Sequence, residues 1–307
     1  MNYTKKWLSL VLALVLAIAL AVPALAITFT WDMLKNGFDD DNDHHYNGNP
    51  VLAEEEAYTP ETVSAAVQAF QRYWDDPRHS QAEKDDYNAF KEAIRGLEFK
   101  AHSFTDAPSS WYDKALNYVG ATGKMNGVGG GRFDPQGTMT RAMAVTILWR
   151  MNGEPAAKAA AGFKDVPANA WYAKAVAWAV EQKITTGKSA AVFDPNAPVT
   201  REQMASFFSR LLFSYVDPNN PDYVRLKNLS PTNLRAILTT YFSDADQISE
   251  YALLHVAICR EIKLVRGNAD GSFAPLANIT RAQGAQMLLN YYQLLIEMTL
   301  KKDSESE

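Results

Sequence analysis

The chain has 307 residues, 47% of them apolar, enough for two ordinary domains, or one with appendages, and for a sizeable buried core. Its net charge of −5 does not suggest a nucleic-acid binder. The single cysteine, Cys259, excludes an internal disulfide and any cysteine-based metal site; in the apolar helical run YALLHVAICREI it reads as a small buried hydrophobe.

The first 26 residues read MNYTKKWLSLVLALVLAIALAVPALA. Lys5 and Lys6 precede an apolar stretch over 8–22, and Ala24-Leu25-Ala26 is a small-x-small cleavage site, so a secretory signal peptide is expected over 1–26. An uncleaved anchor is the alternative, although the apolar run is short for a span. No later segment is apolar for long enough to cross a bilayer, and no cysteine follows the cleavage site to carry a lipid. The expectation is an exported protein with no membrane association after cleavage.

Residues 27–102 form an acidic region, with 16 acids against 7 bases; residues 103–307 carry 19 acids and 21 bases. Within DDDNDHHYNGNPVLAE, the pattern D-x-H-x-N-G-x5-E over Asp43, His45, Asn47 and Glu54 echoes a calcium loop. Calcium prefers oxygen ligands, so His45 weakens the match, and Pro50 fits the loop badly. A transition metal on His44, His45 and carboxylates is a second reading, and a solvated acidic linker the preferred one. No cofactor is expected.

Residues 58–99 read as a helical hairpin. Thr59-Pro60 opens one helix with Val63, Val67, Phe70 and Trp74 on a face. WDDPRH is the turn. Ser80 with Glu83 caps the second helix, which carries Tyr87, Phe90, Ile94 and Leu97. The adjacent acid pairs Asp75-Asp76 and Asp85-Asp86 read as solvated rather than catalytic, and no Ser/His/Asp or His-x-x-x-His spacing occurs.

Beyond residue 102 the chain repeats itself three times, from Phe104, Phe163 and Phe242. FDPQGTMTRAM, FDPNAPVTREQ and FAPLANITRAQ each place Phe-x-Pro the same distance before Thr-Arg. Each copy reads as helix, loop, helix. In the second, Asn169 caps a first helix with a stripe of Trp171, Tyr172, Val176, Ala179 and Val180, and Gly187 ends that region. Thr200 with Gln203 and Thr280 with Gln283 form capping boxes for the second helices; Thr140 has Met143 in that place and keeps half a box. Phe133, Phe193 and Phe273 pin the loops, and Pro135, Pro195 and Pro275 stop the chain continuing as helix. Arg141, Arg201 and Arg281 stand in the first helical turn, where a cation is mildly unfavourable. Two readings account for them: an ion pair with a repeat aspartate (Asp106, Asp165 or Asp244), or a guanidinium fork plus helix-start N–H groups aimed at an anionic ligand.

The Phe-x-Asp starts, the Trp-Tyr pairs, the glycine-containing loops, Phe-x-Pro and the Thr-Arg openings resemble S-layer homology modules, three of them covering roughly residues 103–296. The resemblance implies a mainly α fold, with three helix-loop-helix repeats in a pseudo-threefold bundle, first helices at the centre and loops as prongs. It implies non-covalent anchoring to the cell envelope, with grooves between prongs holding an anionic secondary cell-wall polysaccharide, often bearing pyruvate ketals. The site residues it implies are Asp106, Trp111 and Arg141; Asp165, Trp171 and Arg201; and Asp244 and Arg281. The third repeat has Glu250-Tyr251 in place of Trp-Tyr, and the first has Ala107 and Met143 where Val and an acid or amide are commoner. An insert between the second and third repeats puts their groove in question, and Ser230-Pro231 starts a short helix in it.

The expected organisation is a signal peptide (1–26), an acidic helical region (27–102), repeats at 103–153, 162–213 and 242–296, the insert (214–241) and a polar tail (297–307). The expected protein is a secreted cell-wall protein rather than an enzyme. The alternative is a small envelope enzyme, or a protein docking another envelope component, whose activity lies in 27–102 with the repeats as anchor only.

Overall fold

The structure is a computed structural model and describes residues 52–75, 84–215, 224–225 and 227–302. The signal peptide, Asp43, His44, His45, Asn47, the WDDPRH turn beyond Asp75 and the Ser80–Glu83 box lie outside the described residues, as do the side chains of Trp74, Tyr87 and Phe90. The described residues form nine α-helices and two 3-10 turns, and β-pairing among them is limited to isolated bridges. They divide into two compact units. One holds the chain up to residue 102 with 117–123 and the chain from 292; the other holds 103–116 and 124–291.

In the first unit, α1 (Pro60–Asp75) and α2 (Lys84–Arg95) are the expected hairpin helices, with Pro60 in the first turn of α1. Val63, Ala66, Ala69, Phe70 and Ile94 are buried along their facing sides. Tyr58 pairs with Phe99 in an isolated bridge and stacks on its ring, centroids 4.7 Å apart. The Tyr58 hydroxyl is hydrogen-bonded to that of Tyr292 and accepts the Ala53 N–H at 3.0 Å. Burial pushes the Tyr58 phenol up to about 12, against the opposing effect of those bonds. Tyr292 stacks on Tyr118 at 5.0 Å. Arg95 grips the Glu297 carboxylate at 2.7 and 3.1 Å. Residues 52–102 are therefore packed against 117–123 and the last helix. Glu54, the last member of the candidate metal loop, opens the 3-10 turn Glu55–Ala57.

The second unit carries the repeats. Their first helices are α3 (Asp113–Ala121), α5 (Ala173–Glu181) and α8 (Glu250–Glu261); their second helices are α4 (Arg141–Met151), α6 (Arg201–Tyr215) and α9 (Arg281–Lys302). The insert contributes α7 (Pro231–Thr239), which Ser230 caps as expected, its hydroxyl accepting the Asn233 N–H at 3.2 Å. Arg235 of α7 donates to the carbonyls of Ala245, Asp246 and Ile248, fixing the insert to the start of the third repeat.

Both capping boxes form: Gln203 and Thr200 exchange bonds at 3.4 and 3.3 Å, and Gln283 and Thr280 at 3.2 and 3.0 Å. Thr140 caps Met143 alone, at 3.3 Å. Asn169 does not cap. The chain turns first, through Ala170 N–H to Pro167 and Ala173 N–H to Ala170, and α5 starts at Ala173. This delay takes Trp171 off the apolar stripe and leaves it 61% exposed, while Val176 and Ala179 stay buried. Gly187 does not end the helix either. Lys183, with φ 59°, does so, in a turn closed by Ile184 N–H to the Ala179 carbonyl. Gly187 sits further along with φ +80°, where a Cβ would come within 2.5 Å of the Phe163 ring.

At the centre the repeats interlock in a ring. Met139 donates to Ile279, Ile279 to Val199 and Val199 to Met139, at 2.9–3.0 Å, and all three side chains are buried. These residues stand just before the second helices. Gly284 is needed there, because a Cβ on it would collide with the Met139 sulfur.

The ring explains the fixed offset between Phe-x-Pro and Thr-Arg. A helix start leaves its first N–H groups without intrahelical partners. Arg141 and Ala142 donate theirs to the Ala197 and Pro195 carbonyls of the second repeat. Arg201 and Glu202 donate to Ala277 and Pro275 of the third, and Arg281 and Ala282 to Gly137 and Pro135 of the first. The loop of each repeat is thus the cap of the preceding one.

Candidate functional site

Each repeat aspartate holds its own loop. Asp106 accepts the N–H groups of Phe133 and Asp134 at 2.7 and 2.8 Å. Asp165 accepts those of Phe193 and Asp194 at 2.9 and 2.7 Å, and Asp244 those of Phe273 and Ala274, both at 2.7 Å. Desolvation works against the ionised Asp165 carboxylate. The N–H groups of Phe193, Asp194 and its own backbone, with Arg141, outweigh it and hold the group below the usual range. The same balance, with Arg132 as the nearby cation, lowers Asp106. The chelated loops turn through left-handed backbone at Asp134, Asp194 and Ala274, with φ of 59°, 62° and 55°. Phe133, Phe193 and Phe273 are wholly buried.

The arginines reach across to those loops. Arg141 Nε donates to the Phe193 carbonyl at 2.9 Å, Arg201 Nε to Phe273 at 2.6 Å and Arg281 Nε to Phe133 at 2.7 Å. Each guanidinium also lies over the same phenylalanine ring, at 4.9, 5.1 and 4.5 Å. Burial lowers all three guanidinium pKa values. The opposing charges are Asp194 and Asp165 around Arg141, Asp244 near Arg201, and Asp134 and Asp106 near Arg281. Tyr251 adds to the field at Arg141.

Three sequence expectations change here. The arginines form no direct ion pair with the repeat aspartates; they bind the carbonyls of the loops that those aspartates hold. The helix-start N–H groups do not point at a ligand, since the neighbouring loop and the threonine caps consume them. The sets also cross repeats. Arg141 sits with Asp165, Arg201 with Asp244 and Arg281 with Asp106, so each groove combines an arginine of one repeat with the loop of the next.

The three junctions differ in what their arginines have left to offer. Arg201 spends a second donor on the Arg266 carbonyl at 3.1 Å, and Arg281 one on Asn126 at 2.7 Å. Arg141 bonds the Phe193 carbonyl through Nε and is buried, its guanidinium lying 4.9 Å from the Phe193 ring and 5.6 Å from the Phe207 ring. Trp111 and Trp171 each expose 61% of their surface at the starts of α3 and α5, each edge-on to the following tyrosine.

The junction of repeats two and three holds polar groups that the motif did not predict. Glu202 is 3% exposed, and its carboxylate accepts the Ser249 N–H at 2.9 Å, the Ser249 hydroxyl at 2.8 Å and the Tyr251 hydroxyl at 2.9 Å. Burial, followed by the Glu202 charge, pushes the Tyr251 phenol up. His255 Nδ1 meets the Ser209 hydroxyl at 3.0 Å; burial and then Arg210 push its imidazole down to about 4. Cys259 is buried as expected, its thiol donating to the Ala205 carbonyl at 3.3 Å. The signal for Glu202 was present in the sequence, where Ala142 and Ala282 follow the arginine in the other repeats. Among the described residues no group of three or more His, Cys, Asp or Glu side chains is placed to hold a metal. No helix there is long and apolar enough to cross a membrane.

The family model for the S-layer homology domain matches residues 103–144, 162–205 and 241–285. An endoglucanase from Bacillus sp. (strain KSM-635) is 30% identical over 189 residues, 61% of this chain and 18% of that protein. An amylopullulanase from Thermoanaerobacterium thermosulfurigenes is 28% identical over 188 residues, 61% of this chain and 9% of the enzyme. S-layer protein EA1 from Bacillus anthracis is 29% identical over 158 residues, 52% of this chain and 15% of the relative. The matched stretch is thus less than a fifth of each relative. With three family matches on three interlocking repeats, this chain carries three S-layer homology domains in tandem.

Proposed function

We propose that the repeats anchor this protein at the cell surface by binding an anionic, pyruvylated secondary cell-wall polysaccharide in the grooves between repeats. The residues proposed to line them are Asp165, Trp171 and Arg141 in one groove, Asp106, Trp111 and Arg281 in a second, and Asp244 and Arg201 in the third. The observation that carries the reading is the guanidinium of Arg141. It is fixed over the Phe193 ring by its bond to the Phe193 carbonyl, and Trp171, at the start of a helix in the same repeat as Phe193, is exposed. A fixed guanidinium is suited to a carboxylate, which it can engage through two parallel bonds, and an exposed indole is suited to a sugar face.

The reading places the protein outside the cell, in the wall, and assigns the repeats no catalytic step. Residues 27–102 are proposed to dock another envelope component. The test is a pull-down of the protein, without residues 1–26, on purified cell wall with and without its anionic polymer. Retention that disappears with the polymer is expected. Equal retention on both walls contradicts the reading.

A further inference from the structure

We propose that Arg266 is a second polymer-binding residue of the Arg201 groove, and that this groove takes the most acidic stretch of the polymer. The inference rests on the polysaccharide-binding reading above. Asn126-Gly127, Thr186-Gly187 and Arg266-Gly267 are equivalent pairs in the three loops. The Arg266 carbonyl accepts Arg201 Nη2 at 3.1 Å, as the Asn126 carbonyl accepts Arg281 Nη2 at 2.7 Å. The Arg266 backbone thus touches a guanidinium already assigned to the polymer. Its own side chain is exposed and makes no hydrogen bond or ion pair among the described residues.

Charge gathers at this groove in two ways. Arg266 puts a cation where the other repeats hold the uncharged Asn126 and Thr186. Ala274 removes an acid, since Asp134 and Asp194 fill the same left-handed position in the other loops. Asp194 and Asp165 oppose Arg141, Asp134 and Asp106 oppose Arg281, and Asp244 opposes Arg201. The other loops carry cations too, but beside acids: Lys188 bonds Asp194 at 2.8 Å, and Arg132 lies in the field of Asp106. The third loop's acid, Asp270, turns onto that loop itself, accepting the Ser272 N–H and hydroxyl at 2.9 and 2.7 Å. Arg201 is also half-buried, where Arg141 and Arg281 are buried. Two guanidinium groups facing fewer acids attract an acidic chain more strongly than one that is nearly neutralised, and each offers a planar fork to an oxyanion.

The test measures binding of the protein to purified anionic wall polymer at low and at high salt. It compares the native protein with Arg266→Thr, Arg266→Lys and Ala274→Asp, with a melting curve for each. Arg266→Thr, which installs the residue of the second repeat, is expected to bind about fivefold more weakly at low salt. The difference should shrink at high salt, where exposed charges are screened. Arg266→Lys keeps the charge and should fall between the two. Ala274→Asp should bind more weakly while melting no lower than the native protein, a combination that a purely structural role does not produce. Native affinity in Arg266→Thr, a loss that is the same at both salt concentrations, or native affinity in a folded Ala274→Asp overturns the inference and leaves the functional reading intact. The Arg266 variants carry the test if Ala274→Asp does not fold. No binding by the native protein overturns the functional reading, and this inference with it.

Discussion

The junction of repeats one and two and that of repeats two and three are built on the same backbone scheme and filled with opposite chemistry. In both, an arginine Nε binds a buried phenylalanine carbonyl, and an aspartate holds the loop by two N–H groups. In the first, the positions beside the helices hold Ala142 and Val176, both buried. In the second the equivalent positions hold Glu202 and His255, stitched to Ser249, Tyr251 and Ser209. The difference separates two tasks that the motif merges. Phe, Pro, Thr, Asp and Arg build the ring, whereas the residues beside them set how polar each helix pairing is.

The largest expected effect concerns what the junctions share. Each repeat supplies the N-terminal cap of its predecessor, so a ring of two is left with uncapped helix starts and exposed apolar stripes. A chain ending at Leu212 is expected to lose the cooperative melt that a chain ending at Ile296 keeps. Equal melts break the interlocked ring.

The polar junction should be the acid-sensitive one. His255 is pushed down from 6.5 to about 4, so protons bind the unfolded chain more readily than the folded one. Its contribution is complete above about pH 6.5 and is lost as the pH falls toward 4, reaching about 3 kcal/mol at the acid end. Arg210, beside it, is the charge that an imidazolium would meet. His255→Val, with the residue found at Val176, should flatten stability between pH 6.5 and 4. An unchanged pH profile removes His255 from the account.

The loops should respond alike in both junctions. Asp165→Ala and Asp244→Ala each strip two loop N–H groups of a charged acceptor, a loss of about 1.5–3 kcal/mol by denaturant melts. A large cost at one and none at the other would show that only one loop depends on its aspartate.

The smallest effect separates the loops by one residue. Asp134 and Asp194 fill a left-handed position that Ala274 fills in the third repeat. Aspartate tolerates that backbone better than alanine. Ala274→Asp is expected to gain about 0.5–1 kcal/mol. A loss would mean that the added carboxylate clashes with Asp244, which already holds that N–H.

Much of the ring was legible in the sequence because its parts are local. Thr200 and Gln203, or Thr280 and Gln283, are three residues apart, and a capping box is a short-range pattern. The burial of Phe133, Phe193 and Phe273 followed from their recurrence. The arginine partners were not legible. They are main-chain carbonyls 52, 72 and 148 residues away, and a carbonyl has no sequence signature. Nor was the packing of residues 52–102, which depends on Tyr58 meeting Tyr292 across 234 residues. Asn169 misled for a local reason: a cap residue can close a turn as readily as start a helix. Glu202 was visible as an oddity, but its partners, Ser249 and Tyr251, lie 47 and 49 residues on.

The central claim is that the motif arginines, each fixed over a loop phenylalanine of the next repeat, hold the wall polymer. Polymer binding and thermal melting of Arg141→Lys and Arg201→Lys, measured side by side, test it most directly. Lysine keeps the charge and loses the planar fork. A charge-assisted contact is worth about 1.5–3 kcal/mol, so Arg141→Lys should bind purified anionic wall polymer about tenfold more weakly or worse while still melting cooperatively. Arg201→Lys, in a second proposed groove, should also bind more weakly while staying folded. Native affinity in folded Arg141→Lys and Arg201→Lys proteins contradicts the account.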